Sequence, residues 1–118
     1  MQHEFTLGLA AVKSSLSLLA LSIALSGCAP CSDSCTQQAA VYDLCLADWN
    51  LEWADLGATD KEDFRYRCSD SNQIWVQSLE SESAVVQNQH CSDLGASLRG
   101  ETDCAQAWEA LVSYGAEP

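Results

Sequence analysis

Seven cysteines set the terms on which this chain folds. Six of them, Cys31, Cys35, Cys45, Cys68, Cys91 and Cys104, are spread along most of the 118 residues, and Cys28 stands just ahead of them. An odd count in an exported chain leaves one thiol to be explained. Without Cys28, the other six suffice for three disulfides. The 91 residues from Cys28 to Pro118 make one small domain. Domains of that size bury a modest core and often take covalent reinforcement. In a reducing compartment the same cysteines would point to metal.

Residues 14–26 form an uncharged, Leu-rich stretch of thirteen residues. That length fits the apolar region of a signal peptide, roughly 7–15 residues, and falls short of the roughly 20 that span a bilayer. Against a buried core helix stand its polar positions, all Ser, and its end at Ser26-Gly27-Cys28. The run Leu25-Ser26-Gly27-Cys28 resembles the lipobox of bacterial lipoproteins, and the likeness covers residues 13–28. The resemblance implies that Cys28 carries a diacylglyceryl group and becomes the first residue of the mature chain, often with a third acyl chain on its amine. Burial of each CH₂ contributes about 0.8 kcal/mol, and two chains suffice for stable anchoring. On this reading residues 1–27 are a signal peptide, 28–35 a lipidated tether and 36–118 the domain. Met1 to Val12 departs from the pattern, with Glu4 and no Lys or Arg where positive charge is expected. Val12-Lys13-Ser14-Ser15 makes an ordinary start, so translation is expected to begin at Val12. Ala29 replaces the Asp that retains many such lipoproteins at the inner membrane, which implies the outer membrane of the cell envelope.

From Cys28 onward, sixteen Asp and Glu face only Lys61, Arg65, Arg67 and Arg99. The net charge of −12 keeps a protein soluble but opposes compaction. It argues against nucleic acid, whose phosphates are bound through basic contacts. Anionic headgroups repel it too, so the domain is expected to stand off the membrane. The expected partners are the membrane, through the lipid, and an envelope protein.

The prolines, Pro30 and Pro118, lie at the two ends of this region, and β-branched residues are few between them. That pattern favours helix. A first helix is expected over Thr36 to Leu56, with Tyr42, Cys45, Trp49, Trp53 and Leu56 on one stripe and Gly57 ending it. Thr59 and Glu62 make a capping box for a second helix with Phe64, Cys68, Ser71, Trp75 and Leu79 on one face. A break is expected near Ser81–Ser83, because an unbroken helix of about 35 residues far exceeds the usual length. A third helix carries Val86, Cys91, Leu94 and Leu98 and ends between Gly95 and Gly100. The last starts at Thr102 or Asp103 and aligns Cys104, Trp108, Leu111 and Gly115. The fold class is all-α: a small up-and-down bundle of three or four helices stapled by disulfides. In architecture it resembles the small cysteine-rich helical lipoproteins of bacterial envelopes.

Antiparallel neighbours meet at positions equidistant from their turn. Cys45 and Cys68 are level about Gly57, and Cys91 and Cys104 about Leu98–Gly100. The simplest pairing is then Cys45–Cys68, Cys91–Cys104 and a local Cys31–Cys35. If the N-terminal segment folds back, Cys31 or Cys35 instead pins a helix of another hairpin. Six cysteines allow fifteen connectivities, and sequence does not choose among them. The tryptophans are expected to pack on the disulfides.

No motif rises to a catalytic activity. Cys31-x₃-Cys35 has the wrong spacing for a redox-active pair. His90 and Cys91, adjacent on a helix, point about 100° apart and chelate metal poorly. Asp70-Ser-Asn72 begins like a calcium loop but lacks the following Gly and has Ile74 at the third ligand position. Paired carboxylates such as Glu80/Glu82 sit at helix ends. The expectation is a non-catalytic lipoprotein with a structural or protein-interaction role and no cofactor. The alternative is a binding module for a small molecule, glycan or metal ion, with a concave pocket lined by tryptophans and acids.

Overall fold

The computed structural model describes residues 29–118; the segment 1–27 and Cys28 lie outside the described residues. Among the described residues four α-helices carry the fold: α1 (Pro30–Cys45), α2 (Lys61–Ser78), α3 (Ser81–Leu98) and α4 (Cys104–Ser113). A 3₁₀ turn, Trp53–Leu56, lies between α1 and α2. Among the described residues there is no strand.

The first helix differs from its expected range at both ends. It begins six residues earlier, with Pro30 in the first turn, where the missing amide costs nothing and the fixed φ suits the helix. Residues 31–35 are therefore helix, and Cys31 and Cys35 are buried. Its end comes early because Asn50 adopts the left-handed conformation at φ 57°. The Leu51 amide donates to the Leu46 carbonyl at 2.9 Å and the Asn50 amide to Ala47 at 3.1 Å, a Schellman closure with Asn in the place Gly usually takes. Gly57 does end an element, the 3₁₀ turn, at φ 73°.

The α2 cap is displaced by one residue from the expected box. Asp60 accepts the Asp63 amide at 2.8 Å, and Asp63 in turn accepts the Thr59 amide at 2.9 Å. That amide, with the Arg67 guanidinium, holds the Asp63 carboxyl below its ordinary range. The break between α2 and α3 falls at Leu79–Glu80, two extended residues. Asp103 caps α4 by accepting the Ala105 and Gln106 amides, as its residue type predicts.

Helix α1 lies between α2 and α3. It runs antiparallel to α2, since Asp43 meets Lys61 at 3.9 Å, Tyr42 meets Phe64, and Ser32 meets Ser69 at 2.9 Å. It runs parallel to α3, because Cys31 is bonded to Cys91 and Asp33 pairs with Arg99 at 2.7 Å. Steps of about 100° per residue place Cys31, Cys35, Tyr42 and Cys45 within one arc of roughly 80°. All are buried.

The disulfides are Cys31–Cys91, Cys35–Cys68 and Cys45–Cys104, with Cα separations of 4.8, 5.7 and 5.5 Å. This corrects the simplest pairing and realises the folded-back alternative. Two physical reasons account for it. Residues 46–60 are too long and irregular to act as a tight hairpin, so distances from Gly57 do not set the level. Cysteines four apart on a helix share a face, and from α1 that face reaches α2 and α3 together. In the chain-entropy picture each bridge contributes about 4 kcal/mol.

Hydrophobic packing is concentrated at the other end of α1. Val41, Tyr42, Cys45 and Leu46 pack with Leu94, Leu98, Ala107 and Leu111, rimmed by Trp49, Trp53, Phe64 and Tyr114. Helix α2 contributes no buried residue. Its expected stripe fails beyond Cys68: Ser71 and Trp75 are exposed. Val86, expected on the α3 seam, is also exposed. Gly95 lies inside α3, not at its end, because α1 crosses closely there. A Cβ at Gly95 would stand 3.2 Å from Asp33 Oδ2 and 3.4 Å from Ser34 Cα.

Two outcomes follow. Asp-specific cleavage before Asp33, Asp43, Asp55, Asp70 and Asp93 separates all six cysteines, so mass spectrometry of the unreduced digest is expected to return these three pairs. In G95A the contact with the movable Asp33 carboxylate is offset by a helix-propensity gain of up to about 1 kcal/mol, leaving chemical-denaturation stability nearly unchanged. G95L forces the α1 backbone away and is expected to cost roughly 1–3 kcal/mol.

Candidate functional site

The two ends of α1 differ in chemistry, and each holds a concavity. At its start, Ala29, Cys31 and Ser32 meet Ser69, Asn72, Gln73, Val76 and Gln77 of α2 and Asn88 of α3 around a cleft of about 300 Å³. The cleft exists because α1 begins at Pro30 while α2 and α3 continue past it to the Leu79–Glu80 turn. Its lining is neutral and rich in amides. The Asn72 side-chain amide donates to the Cys68 carbonyl at 2.9 Å and lies 3.4 Å from Cys35 Sγ. Such a surface offers hydrogen bonds from amides and from the Ser32 and Ser69 hydroxyls.

Beyond the cleft, the hairpin formed by α2 and α3 projects, and among the described residues no other element covers it. No residue from 70 to 90 is buried. Ile74, Trp75, Val85 and Val86 are between 50 and 69 % exposed. They lie four to seven residues from the turn, at one height on the two arms. From Ser69 to Leu98 the chain has no Lys or Arg, whereas Asp70, Glu80, Glu82 and Asp93 fall in that span. The four cations of the described residues all sit toward the other end.

At the packed end, Trp49 meets Trp108 at 5.2 Å and Tyr42 at 6.1 Å, and Tyr42 meets Phe64 at 5.0 Å, all edge-to-face. The Trp49 indole donates to the Cys104 carbonyl at 3.3 Å, beside the Cys45–Cys104 bridge. Trp49 thus lies beside a disulfide with Trp108 against it, Trp53 packs near Phe64 at 6.1 Å, and Trp75, expected near Cys68, is exposed. An open groove of about 1100 Å³ runs past Trp53 and Leu51, with Asp43, Glu52 and Asp55 on its margin.

The remaining candidate residues are accounted for locally. His90 Nε2 is 3.0 Å from the Tyr114 carbonyl, and its ring stacks edge-on against Tyr114 at 5.4 Å. It therefore ties α3 to the chain after α4. Among the described residues no group of three His, Cys, Asp or Glu side chains is placed to hold a metal ion. None of the helices described is long and apolar enough to cross a membrane. Glu80 and Glu82 stand at the hairpin tip and Glu101 and Asp103 at the start of α4. Cys28 lies outside the described residues.

The amide-lined cleft and the exposed ring of apolar residues were missed in the sequence. The only signal was that the apolar residues of α2 after Cys68, namely Ile74, Trp75, Val76 and Leu79, do not share one helical stripe.

Tyr42 provides a test of the packed end. Its phenol donates to the Ala116 carbonyl at 3.1 Å, and burial, with Glu117 nearby, pushes its pKa up to about 12 from 10. A folded pKa raised above the unfolded value means stability fully present below pH 10 and lost as pH rises toward 12. Y42F is expected to lower stability by about 1 kcal/mol at neutral pH through the lost hydrogen bond. Between pH 9 and 11.5 its urea midpoint should fall less than that of the wild type.

The chain matches no protein family, no curated protein and no solved structure.

Proposed function

We propose that the protein is a non-catalytic lipoprotein of the cell envelope, anchored through lipid on Cys28, with a structural or protein-interaction role. One observation carries the reading. The six cysteines after residue 28 are all consumed in three disulfides with one another, so the fold asks nothing of Cys28. A seventh cysteine without a structural assignment, ending Leu25-Ser26-Gly27-Cys28 after an uncharged apolar stretch, fits the chemistry of lipid attachment. Three bridges on exposed and buried helices alike also suit an oxidising compartment. Ala29 in the following position supports the outer membrane as destination. The neutral cleft and the uncovered hairpin are features of a surface that contacts others, not of one that performs a reaction.

A second reading, a binding module for a small molecule, glycan or metal ion, draws on the groove beside Trp53. An indole flanked by Asp43, Glu52 and Asp55 is the combination expected for a sugar or a cationic ligand.

Expression of the full chain in a bacterial host with labelled palmitate tests the anchor. The wild type is expected to take up label and partition into detergent, with an intact mass that includes two or three acyl chains on a chain beginning at Cys28. C28A is expected to lose both label and detergent partition while keeping its helical circular dichroism. Wild-type protein recovered without acyl groups would remove the proposal.

A further inference from the structure

The geometry around Ala29 points to a membrane-contacting role for the α2–α3 hairpin: we infer that it rests in the headgroup layer, with Trp75, Ile74, Val85 and Val86 against lipid. The inference builds on the anchor at Cys28 proposed above and goes beyond it, since an anchor alone does not fix how a domain sits.

Only Ala29 separates Cys28 from Pro30, the first residue of α1. Two chain steps advance at most about 7 Å. The expected eight-residue tether does not exist, because residues 30–35 are helix held by Cys31–Cys91 and Cys35–Cys68. The hairpin arms run ten residues beyond Cys68 and Cys91, whereas α1 runs only one to five beyond Cys31 and Cys35. At 1.5 Å per residue the hairpin tip therefore projects about 10 Å past Pro30. The headgroup layer is itself roughly 5–7 Å deep. A lipid held this close brings the hairpin to the bilayer surface, so the domain does not stand off it as its charge alone suggested.

Ala29 lines the cleft between Gln73, Val76 and Gln77 on one arm and Asn88 on the other, so the chain leaves the domain between the two arms. Ile74 and Trp75 on α2 and Val85 and Val86 on α3 are exposed at the level of that exit, on faces other than the one that lines the cleft. A groove-bound partner helix would call for one apolar stripe. Apolar residues that share a level and point off several sides suit a planar boundary, and an indole is at home at such an interface.

Charge then selects the lipid. Glu80 and Glu82 at the tip have no ion-pair partner among the described residues. They stand about 8 Å beyond the apolar level, so the hairpin lies inclined to the surface, where their carboxylates stay in the hydrated headgroups and repel anionic lipid. The ammonium of phosphatidylethanolamine complements them.

The test uses the full lipidated protein, reconstituted in phosphatidylethanolamine–phosphatidylcholine vesicles that contain a lipid with a nitroxide on its headgroup. Trp49, Trp53 and Trp108 are at the far end, so quenching is expected to come from Trp75 and to disappear in W75F. A spacer of twelve Gly and Ser residues between Ala29 and Pro30 has a root-mean-square span of about 20 Å and is expected to reduce the quenching at least twofold. Anionic phosphatidylglycerol in place of phosphatidylethanolamine should reduce it as well. Protein that floats with the vesicles but shows no Trp75-dependent quenching overturns the hairpin contact and leaves the anchor standing. Full quenching in the spacer variant overturns the tether argument. Protein that fails to float removes the anchor and this inference with it.

Discussion

The structure depends on one helix and the bonds it makes. Each of the three disulfides has one end on α1, and each reaches a different helix: Cys35 to α2, Cys31 to α3 and Cys45 to α4. The same arc of α1 carries Tyr42 into the apolar core. Covalent and hydrophobic stabilisation therefore act through one surface. This matters in a chain with a net charge of −12, where self-repulsion opposes every close approach of helices.

The two mechanisms are not spread evenly. Where α1 ends, aromatic rings and aliphatic side chains fill the space among α1, α3 and α4. Where it starts, two bridges bind it to α2 and α3, and most of the surrounding side chains are polar. Helix α2 shows the division most clearly. It buries no residue, yet it is held by the Cys35–Cys68 bond, by the Phe64 contact with Tyr42 and by the Ser32–Ser69 hydrogen bond. Local cross-linking has replaced burial as the means of keeping that helix in position, and so its outer surface is free of packing demands.

Much of this was legible in the sequence. Scarcity of proline and β-branched residues indicated helices, Asp103 announced the start of α4, and Cys91, Leu94 and Leu98 marked the buried face of α3. The errors share a cause: local signals were used to settle questions that tertiary contacts decide. Asn50 does the work of a terminating glycine, which its residue type permits but does not require. The third helix ends at Leu98, within its expected bounds, and Gly95 inside it is a place where Asp33 and Ser34 leave little room beyond a methyl group. The disulfide pairing turned on whether residues 31–35 were free chain or helix. Pro30 fits either state, so the sequence around it did not decide. The amide-lined cleft was illegible for a related reason, since it arises from a mismatch in length between α1 and its neighbours.

The radial arrangement of the bridges has a consequence for resistance to proteolysis. Residues 46–60, Leu79–Glu80 and residues 99–103 are the connections a protease would reach first. A cut in any of them releases nothing, because the helix on its far side is still bonded to α1. Cuts in all three leave three helices joined as spokes to one hub, α1. Whatever holds the N-terminal end of that hub in place would hold the whole nicked molecule.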